Sequence, residues 1–140
     1  MLAGAGLSCW VPHAAAQAAS TAAASAAPAR YRVVNIYPPA SGGVPLINAG
    51  GDVAFSVFDG YPQVESAWFF DGSRTRPMGG LGGPETRVSA INDKGQVTGY
   101  AATADQRVFA YRWSPATGMQ SLGALDGVSS LGLGIKNLSR

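Results

Sequence analysis

Past residue 30, apolar positions come in short runs of β-branched and aromatic residues, and no window holds an i, i+3, i+4, i+7 spacing long enough to argue a helix. Tyr31 to Tyr37 (YRVVNIY), Val53 to Phe58 (VAFSVF), Ser66 to Phe70 (SAWFF), Gln96 to Ala102 (QVTGYAA) and Val108 to Trp113 (VFAYRW) are the clearest. Gly, Pro and Asn clusters separate them, as turns require. The pattern predicts an all-β meander in which each strand pairs with its neighbour in sequence.

The runs recur. Ile47-Asn48-Ala49-Gly50-Gly51-Asp52-Val53 lies over Ile91-Asn92-Asp93-Lys94-Gly95-Gln96-Val97 at an offset of 44. Val34, Met78 and Leu122 follow the same offset, as do Tyr37, Leu81 and Leu125, and Ile47, Ile91 and Ile135. Ala67-Trp68-Phe69-Phe70 lies over Ala110-Tyr111-Arg112-Trp113 at 43, which places a one-residue loop change between Val97 and Ala110, with register restored in the next strand. Residues 31–74, 75–118 and a partial 119–140 are thus about 2.5 copies of one unit. In Asn92-Asp93-Lys94-Gly95 the residue types predict a type I turn whose Gly takes the left-handed position and rejoins the strand through a bulge, and Asn48-Ala49-Gly50-Gly51 is its counterpart. Four antiparallel strands in such a unit is the size of a β-propeller blade, and this many units is too few to close a ring of about four to eight blades.

Leu81-Gly82-Gly83, Ala90-Ile91-Asn92-Asp93-Lys94-Gly95-Gln96-Val97-Thr98-Gly99, Val108-Phe109-Ala110-Tyr111-Arg112-Trp113 and Gly118-Met119-Gln120-Ser121-Leu122-Gly123 together resemble the repeat of the HAF family of probable extracellular repeat proteins. The resemblance runs through nearly the whole of residues 31–140 and is most specific in the INDxGQV and GMxxLG segments. The family's His-Ala-Phe is replaced by Arg107-Val108-Phe109-Ala110 in one unit and by Glu65-Ser66-Ala67-Trp68-Phe69 in the other. The resemblance implies bacterial export and a repetitive β architecture, and it brings no catalytic residue with it.

Charge divides the chain. All ten Lys and Arg and all eight Asp and Glu lie at or after Arg30, whereas 13 of the first 29 residues are Ala. Residues 1–30 therefore read as a signal-peptide-like leader and Ala-rich spacer: Leu2 to Val11 is the apolar stretch, and Ala14-Ala15-Ala16 or Ala16-Gln17-Ala18 the small-x-small site. No cation precedes Leu2, so a true start upstream is expected, and with the halt within the third turn this favours a fragment of a longer array over a protomer whose ring is completed by copies of itself or an open β array capped by its terminal strands. A membrane anchor is disfavoured, because Pro12, His13 and Gln17 interrupt a run that would need about 18 apolar residues. Cys9 and His13 are the only residues of their types and both fall in the leader. Disulfides, Cys or His zinc sites, thiol nucleophiles and histidine-based triads are thereby excluded from residues 31–140.

What chemistry remains is thin. Trp68, Phe69, Phe70, Tyr111 and Trp113 can be read as a sugar-stacking platform or, more economically, as core between units. Asp52, Asp93 and Asp126 have calcium-ligand chemistry but no EF-hand-like loop, and are expected to cap the backbone of their own turns. Asp59, Glu65, Asp71 and Glu85 supply carboxylates for a hydrolase, with no spacing that favours a pair. Arg74, Arg76 and Arg87 are too sparse for nucleic acid at a net charge of +2. Gly79-Gly80-Leu81-Gly82-Gly83 lacks the Lys and helix of a phosphate loop and reads as a linker between strands.

No catalytic, cofactor-binding or metal residue is assigned, and no cofactor is implied. The expectation is a secreted, extracellular or periplasmic binding or scaffolding module rather than an enzyme. Its partners would be glycans or envelope proteins, with self-association through open repeat edges. The alternatives are a propeller-type polysaccharide hydrolase or lyase using carboxylates, and a truncated gene product without autonomous function.

Overall fold

Alternation of inward and outward side chains dominates the strands. In Val64–Phe70, Glu65, Ala67 and Phe69 are buried while Ser66, Trp68 and Phe70 are only half-buried, the period of two expected of a strand. The computed structural model describes residues 30–36, 41–60, 64–125 and 127–137. The chain divides into two units, Met1–Val33 and Val34–Arg140. Of the first, only residues 30–33 are described, and these are exposed. Residues 1–29, on which the expected leader and Cys9 and His13 fall, lie outside the described residues.

Val34–Arg140 is all-β, with no helix among the described residues. In chain order the strands are β1 (Ser41–Gly42), β2 (Leu46–Ile47), β3 (Val53–Asp59), β4 (Val64–Phe70), β5 (Thr75–Gly79), β6 (Gly82–Ile91), β7 (Val97–Thr103), β8 (Val108–Ser114) and β9 (Gly118–Gly123). They join into one open sheet along β1-β3-β4-β6-β7-β8-β9, with β2 pairing β3 and β5 pairing β4. β2–β3, β3–β4, β4–β5, β6–β7, β7–β8 and β8–β9 pair antiparallel, as the meander predicts; β1 skips to β3, and β5 and β6 do not pair, so β4 meets β6 instead, in parallel at Glu65 and Glu85.

The hairpin registers explain the change of offset. Val53 faces Phe70 in β3–β4, whereas Val97 faces Trp113 in β7–β8. Asp59 pairs with Val64 across four loop residues, while the Thr103 amide bonds the Arg107 carbonyl across three, so the missing residue is in this loop. The next turn compensates. Phe70 pairs with Thr75 and Trp113 with Met119, and both following pairings carry a bulge at the corresponding place, between Ala67 and Trp68 and between Ala110 and Tyr111.

Two expectations need correction. Tyr31 to Tyr37 is not a strand over 31–36, and Tyr37 lies outside the described residues. Its counterparts β5 and β9 pair with β4 and β8, but the positions where its own partner would fall are the Ala-rich spacer, which has no β-branched run. Tyr31 and Val33 are accordingly 91% and 96% exposed. The leading strand of the first unit is reduced to two-residue pieces, β1 and β2, where the second unit has the ten-residue β6. Pro39 and Pro45 flank these pieces, and proline cannot donate to a ladder. The glycine run joins the adjacent strands β5 and β6, but only Gly80 and the bridged Leu81 lie between them, since Gly79 ends β5 and Gly82 opens β6. A Cβ on Gly83 would stand 2.6 Å from the Thr103 carbonyl oxygen, so glycine there lets β6 and β7 approach.

The core lies between the two antiparallel halves of the sheet. Ala54, Ala67, Phe69 and Met78 from one side meet Val97, Ala101, Tyr111 and Trp113 from the other, with Leu81, Val88, Ile91 and Met119 packed around them. The rings of Phe69 and Trp113 are 4.8 Å apart at 44°, an arrangement worth about 0.5–1.5 kcal/mol beyond burial.

Candidate functional site

Two constructions place chemically capable side chains together, and they differ in how completely their polar groups are satisfied. The first is the set of Asn turns. Gly51 and Gly95, at φ +87° and +67°, close the turns that begin at Asn48 and Asn92. In each, the Gly amide bonds the Asn carbonyl, as a type I turn with a glycine bulge requires. Asn92, 3% exposed, accepts from the amides of Lys94 and Gln96 at 3.0 Å each, and donates to Gln96 Oε1 at 2.9 Å and to the Lys136 carbonyl at 3.3 Å.

These turns are stitched to one another at the offset of 44. Asn48 donates to the Asn92 carbonyl at 3.1 Å, and the Ala49 amide donates to Asp93 at 3.0 Å. One step on, the Asp93 amide donates to Asn137 Oδ1 at 2.7 Å, and Asn137 Nδ2 donates back to Asp93 at 2.6 Å. Asp93 thus bonds the neighbouring turns rather than capping its own, a correction to the expectation for it. Capping within each turn falls to Asn48 and Asn92, whose Oδ1 atoms accept from the Asp52 and Gln96 amides. Asp52 accepts from Asn48 Nδ2 at 2.8 Å. Asp126 lies outside the described residues. Among the described residues no group of three or more His, Cys, Asp or Glu side chains could hold a metal ion.

The second construction is centred on Glu65. Alternation in β4 puts this carboxylate on the same face as Ala67 and Phe69, where it is 6% exposed. Burial raises its pKa above the ordinary glutamate range; Arg87 and Ser56 oppose the shift, and the like charge of Glu85 adds to it. Arg87 Nε stands 3.5 Å from Glu65 Oε1, and Arg87 Nη1 donates to the Tyr100 hydroxyl at 3.1 Å. Glu65 Oε1 has no hydrogen-bond partner. Three cavities, of about 150, 190 and 250 Å³, all have Glu65 in their walls. Phe58 and Arg87 line two of them, Glu85 the largest, and Ser66, Pro77 and Thr86 the third.

The fold thus unites Glu65 with Glu85 from the group of carboxylates and sets Arg87 beside them. It engages Asp71 elsewhere. Asp71 receives the amides of Ser73 and Arg74 and the Ser73 hydroxyl and pairs with Arg76, so its carboxyl is held far below the ordinary aspartate range, chiefly by the Ser73 hydroxyl. Arg74 also lies near Asp71, so the arginines are divided between carboxylates and form no basic stripe. Phe69, Tyr111 and Trp113 are core and present no stacking platform, and the buried Tyr111 hydroxyl donates to the Arg87 carbonyl at 3.1 Å. Ser56 and Phe58 were not candidates from sequence. The signal that points to them is Glu65 itself, a charged residue at an inward position of an alternating strand, whose neighbours across the pairing belong to the same face.

No family model, curated protein or solved structure matches the chain.

Proposed function

We propose that the chain is an exported β-repeat module that binds or scaffolds at the cell envelope or outside the cell. It is built from about 2.5 blade-like, four-stranded units of 44 residues and is incomplete as a ring. The observation that carries this reading is the stitching of the Asn turns, which couples one unit to the next through two half-buried and two exposed hydrogen bonds. Such coupling spaces successive units rigidly, as an array that presents a surface requires. The resemblance to extracellular repeats and the uncharged, Ala-rich leader support export.

Expression of the full chain in a Gram-negative host, with mass spectrometry of its N-terminus and fractionation of the cells, tests it. The expected product is cleaved after Ala16 or Ala18, is periplasmic or secreted, and retains envelope glycan or protein without releasing product. An uncleaved cytoplasmic chain, or one that retains nothing from the envelope, overturns the reading.

The meeting of Glu65 with Glu85 favours a second reading, a polysaccharide hydrolase or lyase in which a carboxyl of raised pKa donates a proton and its neighbour accepts one. It requires release of reducing ends or unsaturated products that Glu65→Gln abolishes.

A further inference from the structure

The module reading leaves its ligand unnamed, and the cleft around Glu65 holds one of the two buried side-chain atoms without a hydrogen-bond partner among the described residues, the other being Arg76 Nε. Glu65 is 6% exposed, and a buried carboxylate oxygen without a donor costs free energy that a bound donor would recover. The nearest cation, Arg87, stands at 3.5 Å from that oxygen, too far for a short charge-assisted bond, and its side chain is half exposed toward the same cavities.

Three classes of ligand can be compared. A cation would have to compete with Arg87 for Glu65, and an anion would meet Glu65 and Glu85 side by side. A hydroxyl does neither, since it donates to the carboxylate while accepting from the guanidinium. Phe58, in the wall of both cavities that contain Arg87, adds an apolar ring face of the kind on which the C–H face of a pyranose lies. The largest of the three, about 250 Å³, is below the roughly 300–1,000 Å³ of sites that enclose drug-sized ligands, which suits one ring and not a long chain.

We propose that the cleft between β4 and β6 is a subsite for a single neutral pyranose residue, its neighbouring hydroxyls bridging Glu65 and Arg87 and its ring against Phe58. This rests on the reading of the chain as a binding module and names the ligand class of that module.

The test is saturation-transfer NMR on the full chain with glucose, galactose and mannose, beside glucosamine as a cation and glucuronate as an anion. At least one neutral sugar should bind in preference to both charged ones. Glu65→Gln and Arg87→Ala should each weaken that sugar at least tenfold, and Phe58→Leu should weaken it with the ring protons no longer receiving transfer. Arg87 is half exposed, so its variant keeps the fold measurable, and an unchanged amide spectrum establishes that for each protein. Absence of transfer to every neutral sugar, preference for a charged one, or binding unaltered by both Glu65→Gln and Arg87→Ala overturns the proposal. Retention of envelope glycan or protein in the fractionation experiment reports separately on the module reading. A chain that keeps that retention but ignores monosaccharides refutes the pyranose subsite alone.

Discussion

Asn92 and Gln106 occupy corresponding tight hairpin turns and show opposite economies. Asn92 satisfies two backbone amides, a side-chain oxygen and a carbonyl 44 residues away, all from a buried position. Asn92→Ala leaves the Lys94 and Gln96 amides without their acceptor and should cost about 2–3 kcal/mol, measured by urea denaturation of the full chain. Asp93→Ala, at an exposed site, should cost less than half of that. Gln106 takes φ +61°, the position that Gly95 and Gly51 hold in the Asn turns. A side chain there is strained by about 1–2 kcal/mol, partly offset by the entropy that glycine loses, so Gln106→Gly should stabilise the same transition by about 0.5–1 kcal/mol.

Among the elements, β7 is tightly constrained: it is paired on both sides, and its Val97 and Ala101 enter the core. Gly99 is its tightest point: a Cβ there would overlap the Arg87 carbonyl oxygen and lie 3.1 Å from the Tyr111 hydroxyl that donates to the same carbonyl. Gly99→Ala should therefore cost about 3 kcal/mol through displacement of β6 at its bulge. Hydrogen exchange should show the loss in the amides of β6 and β7 before those of β3. Strand positions were legible wherever a β-branched run had a partner run one turn away, which is why β3, β4, β7 and β8 lie where the pattern puts them. The segment at 31–36 had the composition without the partner, and pairing is what makes a strand.

At the scale of the molecule, acidic groups of opposite tendency divide the pH axis. Glu65 binds its proton more tightly in the folded chain than the ordinary value of 4.5, so stability falls as pH rises from that value through the raised one. Asp71 and Asp105 are depressed below 3.8, so what they contribute is present above that value and is lost as pH falls through the lowered ones. Glu65→Gln should flatten the stability profile above about pH 4.5 and leave the acid limb unchanged, as followed by thermal melting across pH. Exposed apolar residues make a second prediction. Leu122 and Leu125 are 62% and fully exposed, yet Met78 and Leu81, at the equivalent positions one unit earlier, are packed in or against the core. Val44 and Ile47 are likewise exposed where Val88 and Ile91 pack. The full chain should associate with rising concentration in sedimentation velocity, and Leu122→Glu with Leu125→Glu should shift it toward monomer.

The strand class, the 44-residue spacing, the turn chemistry and the one-residue loop change all follow from the linear order of residues. They depend on interactions between near neighbours, which periodicity and turn residues encode directly. The same order confines Cys and His, at Cys9 and His13, to the first 30 residues. Which carboxylates meet was decided only by the tertiary structure, because the parallel contact of β4 with β6 joins residues 20 apart in chain with no periodic signal between them. The burial of Glu65, its unsatisfied oxygen and the cavities around it depend on how the two halves of the sheet close, as do the bonds that carry each Asn turn to the next.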